Sequence, residues 1–393
     1  MVDICIIGGC GHVGLPLAMA FAKAGKNVVA MDISENAVQM ASSGKMPFTD
    51  EGADELLPKV LASGHFRATT DPSVISEADT VITVIGTPLD EHLNPRFEVY
   101  SDLLEQDSSH LREGQLLILR STVYPGTTDR VQRALEGRGI DVAFCPERVA
   151  EGVALEEIHS LPQIVAGCSD VAQKRAEELF RLLTPDIIKL QPLGAELTKL
   201  YNNTWRYVQF AVANQFYMIA NDYGLDFYEL HHAMTEKYPR ARGFPRAGFA
   251  AGPCLFKDTM QLSCFNNNAL FLGHAAMLVN EGLPNYVVRR AAQRWDLRDK
   301  TVGVLGMTFK PDSDDPRDSL SFKLKKSLQV EAKEVLCTDP HLDNDWIKPL
   351  EEVMQRAEIL FVGTPHREYR DLDFGNTPVI DIWNATTQGM TVL

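Results

Sequence analysis

The stretch VDICIIGGCGHVGLPLAMAFAKAG, residues 2–25, decides the fold. Its first part is an unbroken apolar run, the pattern of a strand buried on both faces of a parallel sheet. Its last part carries apolar residues at helical spacing and stops at Gly25. Between them, Gly9, Gly11 and Gly14 have GxGxxG spacing. Glycines at such a turn let backbone amides approach a pyrophosphate, whose charge then faces a helix N-terminus. A second apolar run, NVVAMD, ends in Asp32, eighteen residues after Gly14. A carboxylate at that point accepts hydrogen bonds from a ribose and repels a 2′-phosphate, which favours NAD over NADP. The competing reading is a plain glycine turn followed by a surface aspartate.

Working outward, further apolar runs lie at 79–88, 115–122, 140–147 and 161–167, with helical stretches between several of them. Strands alternating with helices predict a doubly wound parallel sheet. The middle differs. Residues 194–224 contain no proline and carry Leu, Tyr, Trp, Phe and Val over about eight turns, which predicts one long helix and a surface for subunit packing. A second helix is predicted at about 266–281, before GLP. The opening pattern then restarts. KTVGVLGMTF (300–309), EVLCTDP (334–340), AEILFVGTP (357–365) and PVIDIW (378–383) parallel the runs of the first part, without GxGxxG. The expected fold is α/β, with two Rossmann-like doubly wound parallel-sheet domains joined by a central helical segment. The expected boundaries are 1–193 for the NAD-binding domain, 194–296 for the helical one and 297–393 for the second Rossmann-like one.

Composition narrows the function classes. The chain of 393 residues has a net charge of −15, against the basic stripe that nucleic acid needs. It has no apolar run of bilayer length and no signal-peptide pattern at its start, which points to a cytoplasmic protein without membrane partners. The seven cysteines are odd in number, scattered and without CxxC, so neither a disulfide framework nor a metal site is expected.

Five further motifs carry candidate chemistry, each with a plainer reading beside it. RSTVYPGTT (120–128) puts Ser121 and Thr122 at the sheet edge where ligands bind, or is an ordinary turn before proline. CPERVAEG (145–152) offers Glu147 and Glu151 as general bases, or is a solvated acidic turn. In ELTKLYNN, Lys199 and Asn203 are i and i+4 on one helix face; together they could hold an oxygen gaining negative charge, or simply face water. In GFAAGPCLFKDTMQL (248–262), Cys254 is a nucleophile beside Lys257 and Asp258, or a buried inert thiol. FKPDSDDPRDS (309–319) presents Lys310 and Arg317 after a strand, suited to phosphate, or is a charged surface loop.

Taken in order, GCGHVGLPLA, STVYPGTT, PERVAEG, AELTKLYNNT, GPCLFKD and GMTFKPDSDDPRDS resemble the motifs of the UDP-glucose/GDP-mannose dehydrogenase family over essentially the whole chain. The resemblance implies NAD-dependent, four-electron oxidation of the C6 alcohol of a nucleotide sugar to a uronate. It makes Cys254 the thiol that forms a thiohemiacetal and then a thioester, and Asp258 the acid assisting thiol and water. Lys199 and Asn203 steady the oxyanions, and Glu147, Glu151 and Thr122 lie near the hydrolytic water. The NAD-facing set it implies is Gly9, Gly11, His12, Val13, Gly14, Asp32, Thr87, Pro88, Ser121 and Thr122. Its substrate-facing set is Glu147, Arg148, Lys199, Asn203, Lys257, Phe309, Lys310 and Arg317. A homodimer packed on the central helix is expected, with Arg240 or Arg242 reaching the neighbour's substrate.

The chain departs from the family pattern in two places. RAGFAAGPC has alanines where GxGxGGxC is usual, and CPERV replaces the NPEF form of UDP-glucose enzymes. CPERV looks more like enzymes of UDP-N-acetylmannosamine, whereas CLFKD keeps the lysine typical of the UDP-glucose group. Two other function classes remain: a two-electron NAD dehydrogenase of the β-hydroxyacid type, and a nucleotide-sugar-binding homologue without turnover.

Overall fold

The computed structural model describes residues 2–92, 95–96, 100 and 108–393. The chain divides into two compact units, one running to Asn202 and the other from Asn203. The division falls inside a single 31-residue helix, α7 (Pro192–Asp222).

The first unit is built on an eight-stranded sheet of order β3-β2-β1-β4-β5-β6-β7-β8. The strands are β1 (Val2–Ile7), β2 (Val28–Met31), β3 (Phe66–Thr69), β4 (Ala78–Thr83), β5 (Leu116–Leu119), β6 (Asp141–Phe144), β7 (Gln163–Gly167) and β8 (Ile187–Lys189). The described helices of this unit are α1 (Gly14–Lys23), α2 (Glu35–Ser42), α3 (Ala53–Ala62), α4 (Thr127–Ala134), α5 (Ala154–Ser160) and α6 (Asp170–Phe180), before α7. Strands β1 to β6 pair in parallel, and strand order reverses between β1 and β4. Ligands of such sheets bind at that switch point, beyond the carboxyl ends of the strands. Strand β7 departs from the all-parallel expectation: it runs antiparallel to β6, pairing Ala143 with Gly167 and Phe144 with Ala166. The link from β6 carries only the seven-residue α5, which packs on α1, and the chain re-enters the sheet from the end it left. Both faces of the sheet are apolar. Ile4, Ile6 and Ile82 face one core, Cys5, Ile7 and Val81 the other.

The second unit contains the rest of α7, then α8 (Phe227–Thr235), α9 (Leu255–Phe265) and α10 (Phe271–Arg294). A four-stranded parallel sheet follows, of order β10-β9-β11-β12, with α11 (Leu320–Glu331) and α12 (Leu350–Arg356). Its strands are β9 (Thr301–Leu305), β10 (Glu334–Thr338), β11 (Ile359–Val362) and β12 (Val379–Ile380). The expected helix at 266–281 is corrected to 271–294, running through Pro284. Proline deletes one helical hydrogen bond. Here Leu283, Tyr286, Val287, Val288 and Ala291 are all buried on the core side, and their packing keeps the helix going past it.

Candidate active site

In the first unit the glycine turn is shaped for close approach. A Cβ on Gly14 would lie 2.2 Å from the Gly8 carbonyl oxygen, so only glycine lets α1 start there. A Cβ on Gly11 would meet nothing nearer than 3.7 Å, leaving that side of the turn open. Asp32 holds the turn as well as ending β2: one carboxylate oxygen accepts from the Cys10 amide at 3.0 Å, the other from the Ser34 amide at 3.0 Å. The His12 ring lies against Phe48, with centroids 4.2 Å apart. Ser121 and Thr122 sit just past β5, which stops at Leu119 and does not include them. The Ser121 hydroxyl accepts from the Ile85 amide at 2.8 Å, and the Thr122 carbonyl accepts from the Thr87 hydroxyl at 2.6 Å. These bonds tie the loops after β4 and β5 together at the switch point, beside Pro88.

Glu147 is buried and heavily committed. One oxygen is ion-paired with Arg120, whose guanidinium is buried; the other accepts from the Arg148 and Val149 amides at 2.7 and 2.9 Å. Arg120 also donates to the Cys145 carbonyl and to Gln163, each at 3.0 Å, and its guanidinium lies over the Phe180 ring. Arg148 turns its guanidinium to the Pro162 carbonyl. Glu151 is half-buried in the same turn. Lys199 is half-buried on α7, one turn after Glu196. Glu196 is buried and accepts from the Gly126 amide at 2.6 Å and from the Thr128 amide and hydroxyl at 2.8 and 2.6 Å. Burial pushes its carboxyl up, and those hydrogen bonds partly offset the shift. Glu196 thus caps α4 and ties the start of α7 to the STVYPGTT loop.

The second unit assembles the cysteine site. Cys254 is exposed at the start of α9, before the free amides of its first turn, a position that favours an anion. Asp258 is one turn on, fully buried, its amide bonded to the Cys254 carbonyl at 2.9 Å. Its carboxylate accepts from the Asn203 side chain at 2.6 Å and from the Lys257 ammonium at 2.5 Å. Burial pushes the thiols of Cys10, Cys145 and Cys168 up to about 12, and that of Cys337 up to about 11. Those four are poor nucleophiles, because the thiolate is the reactive form. Phe309 reaches back to the loop before Cys254: a Cβ on Gly252, at φ +99°, would come 2.5 Å from its ring. In the 309–319 loop, Arg317 is paired with Asp315 at 2.5 Å, and the Lys310 carbonyl accepts from the Thr308 hydroxyl at 3.0 Å.

Among the described residues, Asp312, His341, His366 and Glu368 each place one possible metal-donor atom within 4.8 Å of the others. Two of them already have partners. His366 Nδ1 accepts from the Asp312 amide at 3.0 Å, and Nε2 faces Asp339 at 3.1 Å. The Asp312 carboxylate accepts from the Arg367 amide and Nε. The cluster serves as a hydrogen-bond hub of the second Rossmann-like sheet.

Models of three parts of one family match the chain: the "NAD binding domain" at residues 2–184, the "central domain" at 194–281 and the "UDP binding domain" at 303–388. The chain belongs to the UDP-glucose/GDP-mannose dehydrogenase family. It is 30% identical to the UDP-N-acetyl-D-mannosamine dehydrogenase of Methanocaldococcus jannaschii, over 94% of this chain and 87% of that one. It superimposes on the structure of the UDP-D-ManNAc dehydrogenase of Pyrococcus horikoshii with a TM-score of 0.92 at 28% identity, covering 98% and 96% of the two chains. The UDP-glucose dehydrogenase of Pyrobaculum islandicum gives 0.89 at 25% identity, covering 99% and 96%. As a UDP-glucose/GDP-mannose dehydrogenase family member, the chain is an NAD-dependent dehydrogenase. The open side of the glycine turn and the carboxylate of Asp32 at the end of β2 fit that cofactor.

Two functional supports escaped the sequence reading. Arg120 closes the apolar run QLLILR, and a charge there has to find a partner once buried. Glu196 shares a helix face with Lys199, but nothing local reveals that it caps a helix that starts 69 residues earlier.

Proposed function

We propose that this chain oxidises the C6 alcohol of a UDP-linked sugar to the uronate, with UDP-N-acetylmannosamine as the first candidate and UDP-glucose as the second. The observation that carries the reading is an exposed cysteine at a helix N-terminus, one turn from a buried aspartate held by Asn203 and Lys257. A two-electron alcohol dehydrogenase has no use for such a thiol. CPERV, and the names of the relatives from Methanocaldococcus jannaschii and Pyrococcus horikoshii, favour the N-acetylated sugar.

Bound NAD supplies the hydride acceptor for both oxidations. Lys199 and Asn203, one helical turn apart, are suited to the C6 oxygen as it loses its proton and later carries negative charge. The first oxidation leaves an aldehyde, which has no readily transferable hydride. Addition of the Cys254 thiolate to the aldehyde carbon forms a C–S bond and a thiohemiacetal, which does have one. Its oxidation leaves a thioester. Water then adds to the acyl carbon, the C–S bond breaks, and thiol and carboxylate are released. The balance is one alcohol, two NAD and one water giving one carboxylate, two NADH and three protons. We assign Asp258 to proton exchange with thiol and water. Glu147 already has partners for both oxygens, and we assign it to holding the strand end. Glu151 and Thr122 remain the groups for the hydrolytic water. Lys310 and Arg317 serve the nucleotide diphosphate, and Lys257 the sugar.

The test is stoichiometry. With UDP-N-acetylmannosamine or UDP-glucose limiting, two NADH per uronate are expected at 340 nm. One NADH per sugar, with a stable carbonyl product, would move the chain to the two-electron class. No reduction with any UDP or GDP sugar would make it a binding homologue.

The same reading includes a homodimer through α7. Trp205, Val212, Phe216 and Ile219 recur three, four or seven residues apart along this helix, with Tyr223 just past its end, all substantially exposed. They form one apolar stripe of the kind that marks an interface. A cavity of about 240 Å³ beside it is lined by Trp205, Val208, Val212, Arg240, Arg242 and Phe244, with a second copy as its occupant. Trp205→Glu is expected to give a monomer by light scattering at micromolar concentration. A wild-type monomer under those conditions would refute the dimer. No helix among the described residues is long and apolar enough to cross a membrane.

A further inference from the structure

We infer that Asn214 and Asn280 are positioning residues that set Cys254 for thioester formation; the inference rests on the nucleophile reading above. Both are fully buried, Asn214 on α7 and Asn280 on α10. They form a chain of hydrogen bonds running one way. The Gly248 amide donates to Asn214 Oδ1 at 2.8 Å, Asn214 Nδ2 donates to Asn280 Oδ1 at 2.9 Å, and Asn280 Nδ2 donates to the Tyr207 carbonyl at 3.0 Å. Bonds aligned this way polarise one another, and a buried member that loses its partner is costly.

The chain ends on the cysteine loop. Gly248 is held between Asn214 and the ring of Trp383, where a Cβ would come within 2.1 Å of the indole. Trp383 is anchored in turn, its Nε1 donating to the Gly363 carbonyl at 3.2 Å. Four residues on, the Gly252 amide donates to the Asp318 carbonyl at 3.2 Å, under Phe309. Between these clamps Phe249 and Ala250 are buried in apolar clusters, Ala250 against Tyr207, Ala211 and Ala276. The loop is therefore pinned at Gly248 and Gly252, the second clamp two residues before the exposed Cys254.

Asn203 and Asn214 are eleven residues apart, about three turns, so they share one face of α7. One face of one helix thus holds Asp258 through Asn203 and the cysteine loop through Asn214. Thiol and aspartate are placed by the same rigid element. A displacement of about 1 Å at the reacting atom costs roughly a hundredfold in rate.

The test uses the full-length enzyme with the UDP sugar it oxidises, with semicarbazide present to capture aldehyde. Asn214→Ser is chosen because a water can fill the space left. If Asn214 positions the thiol, the first oxidation survives and the second lags. About nine-tenths of turnovers then end as trapped aldehyde, uronate formation falls roughly tenfold, and NAD affinity stays within about twofold. Asn280→Ser keeps the Gly248 bond, and a smaller effect in the same direction is expected. Loss of uronate with no trapped aldehyde means both steps slowed together and overturns the inference. So does a variant that matches wild type. Failure of the nucleophile reading is distinguishable, because it shows in the wild-type stoichiometry.

Discussion

Cys254→Ala is expected to lower uronate formation by at least on the order of 10⁴-fold; removing the nucleophile of a covalent hydrolase costs about 10⁶-fold in kcat. NAD binding should be unchanged, because the glycine turn and Asp32 lie on a different compact unit. Stability should move by no more than about 0.5 kcal/mol, since the side chain is exposed and fills no core. The effect is large because the thiol provides a route. Without it the aldehyde has to reach the acid level through its hydrate, with no covalent intermediate to hold it. Uronate formation at a near wild-type rate in this variant would end the thioester mechanism. Buried cysteines are no substitutes, because burial raises the thiols of Cys10, Cys145 and Cys337 well above neutrality.

Glu147→Gln is expected to act chiefly on stability. The side chain of Arg120 is only 2% exposed, and Glu147 is its one carboxylate partner among the described residues. Removing one charge of a buried pair leaves the other uncompensated, at a cost of about 3–5 kcal/mol. In a unit of this size that corresponds to a fall in Tm of roughly 10 °C. The glutamine keeps an acceptor for the Arg148 and Val149 amides, but its amide nitrogen then faces the Arg120 donors, so the charge and that hydrogen bond are lost together. Adding Arg120→Met should recover part of it, because the orphaned guanidinium is then gone and the methionine still packs on Phe180. Differential scanning calorimetry of the two variants checks both statements. If Glu147→Gln instead keeps its Tm and loses uronate formation, Glu147 is a proton-transfer group and its assignment to the strand end is wrong.

The first βαβ unit was legible because its signals are local. A glycine turn, an apolar run on each side and a carboxylate at the end of the next run each depend on neighbouring residues alone. The long helix was legible for the same reason, having neither proline nor glycine between Ala195 and Tyr223. The helix through Pro284 was not, since a proline after a glycine reads as a stop. Burial of Leu283, Tyr286 and Val287 decided otherwise. The direction of β7 was also hidden, because a buried strand has the same apolar pattern whichever way it runs.

For the site, the sequence by itself determined residue chemistry and helical spacing: Cys254 before Lys257 and Asp258, and Lys199 one turn from Asn203. It also showed alanines in the cysteine loop, without showing what they did. The tertiary structure decided partners. It paired Asp258 with Asn203 across 55 positions, spent Glu147 on Arg120 across 27, and joined Asn214 to Asn280 across 66. It also turned the loop's alanines from a departure into core, with Ala247 and Ala250 buried beside the asparagine chain. The physical reason is range. Backbone conformation and side-chain chemistry are properties of a few adjacent residues. Whether a carboxylate is a free base or half of an ion pair depends on which distant side chain packing brings within 3 Å, and packing is settled only when the whole unit folds.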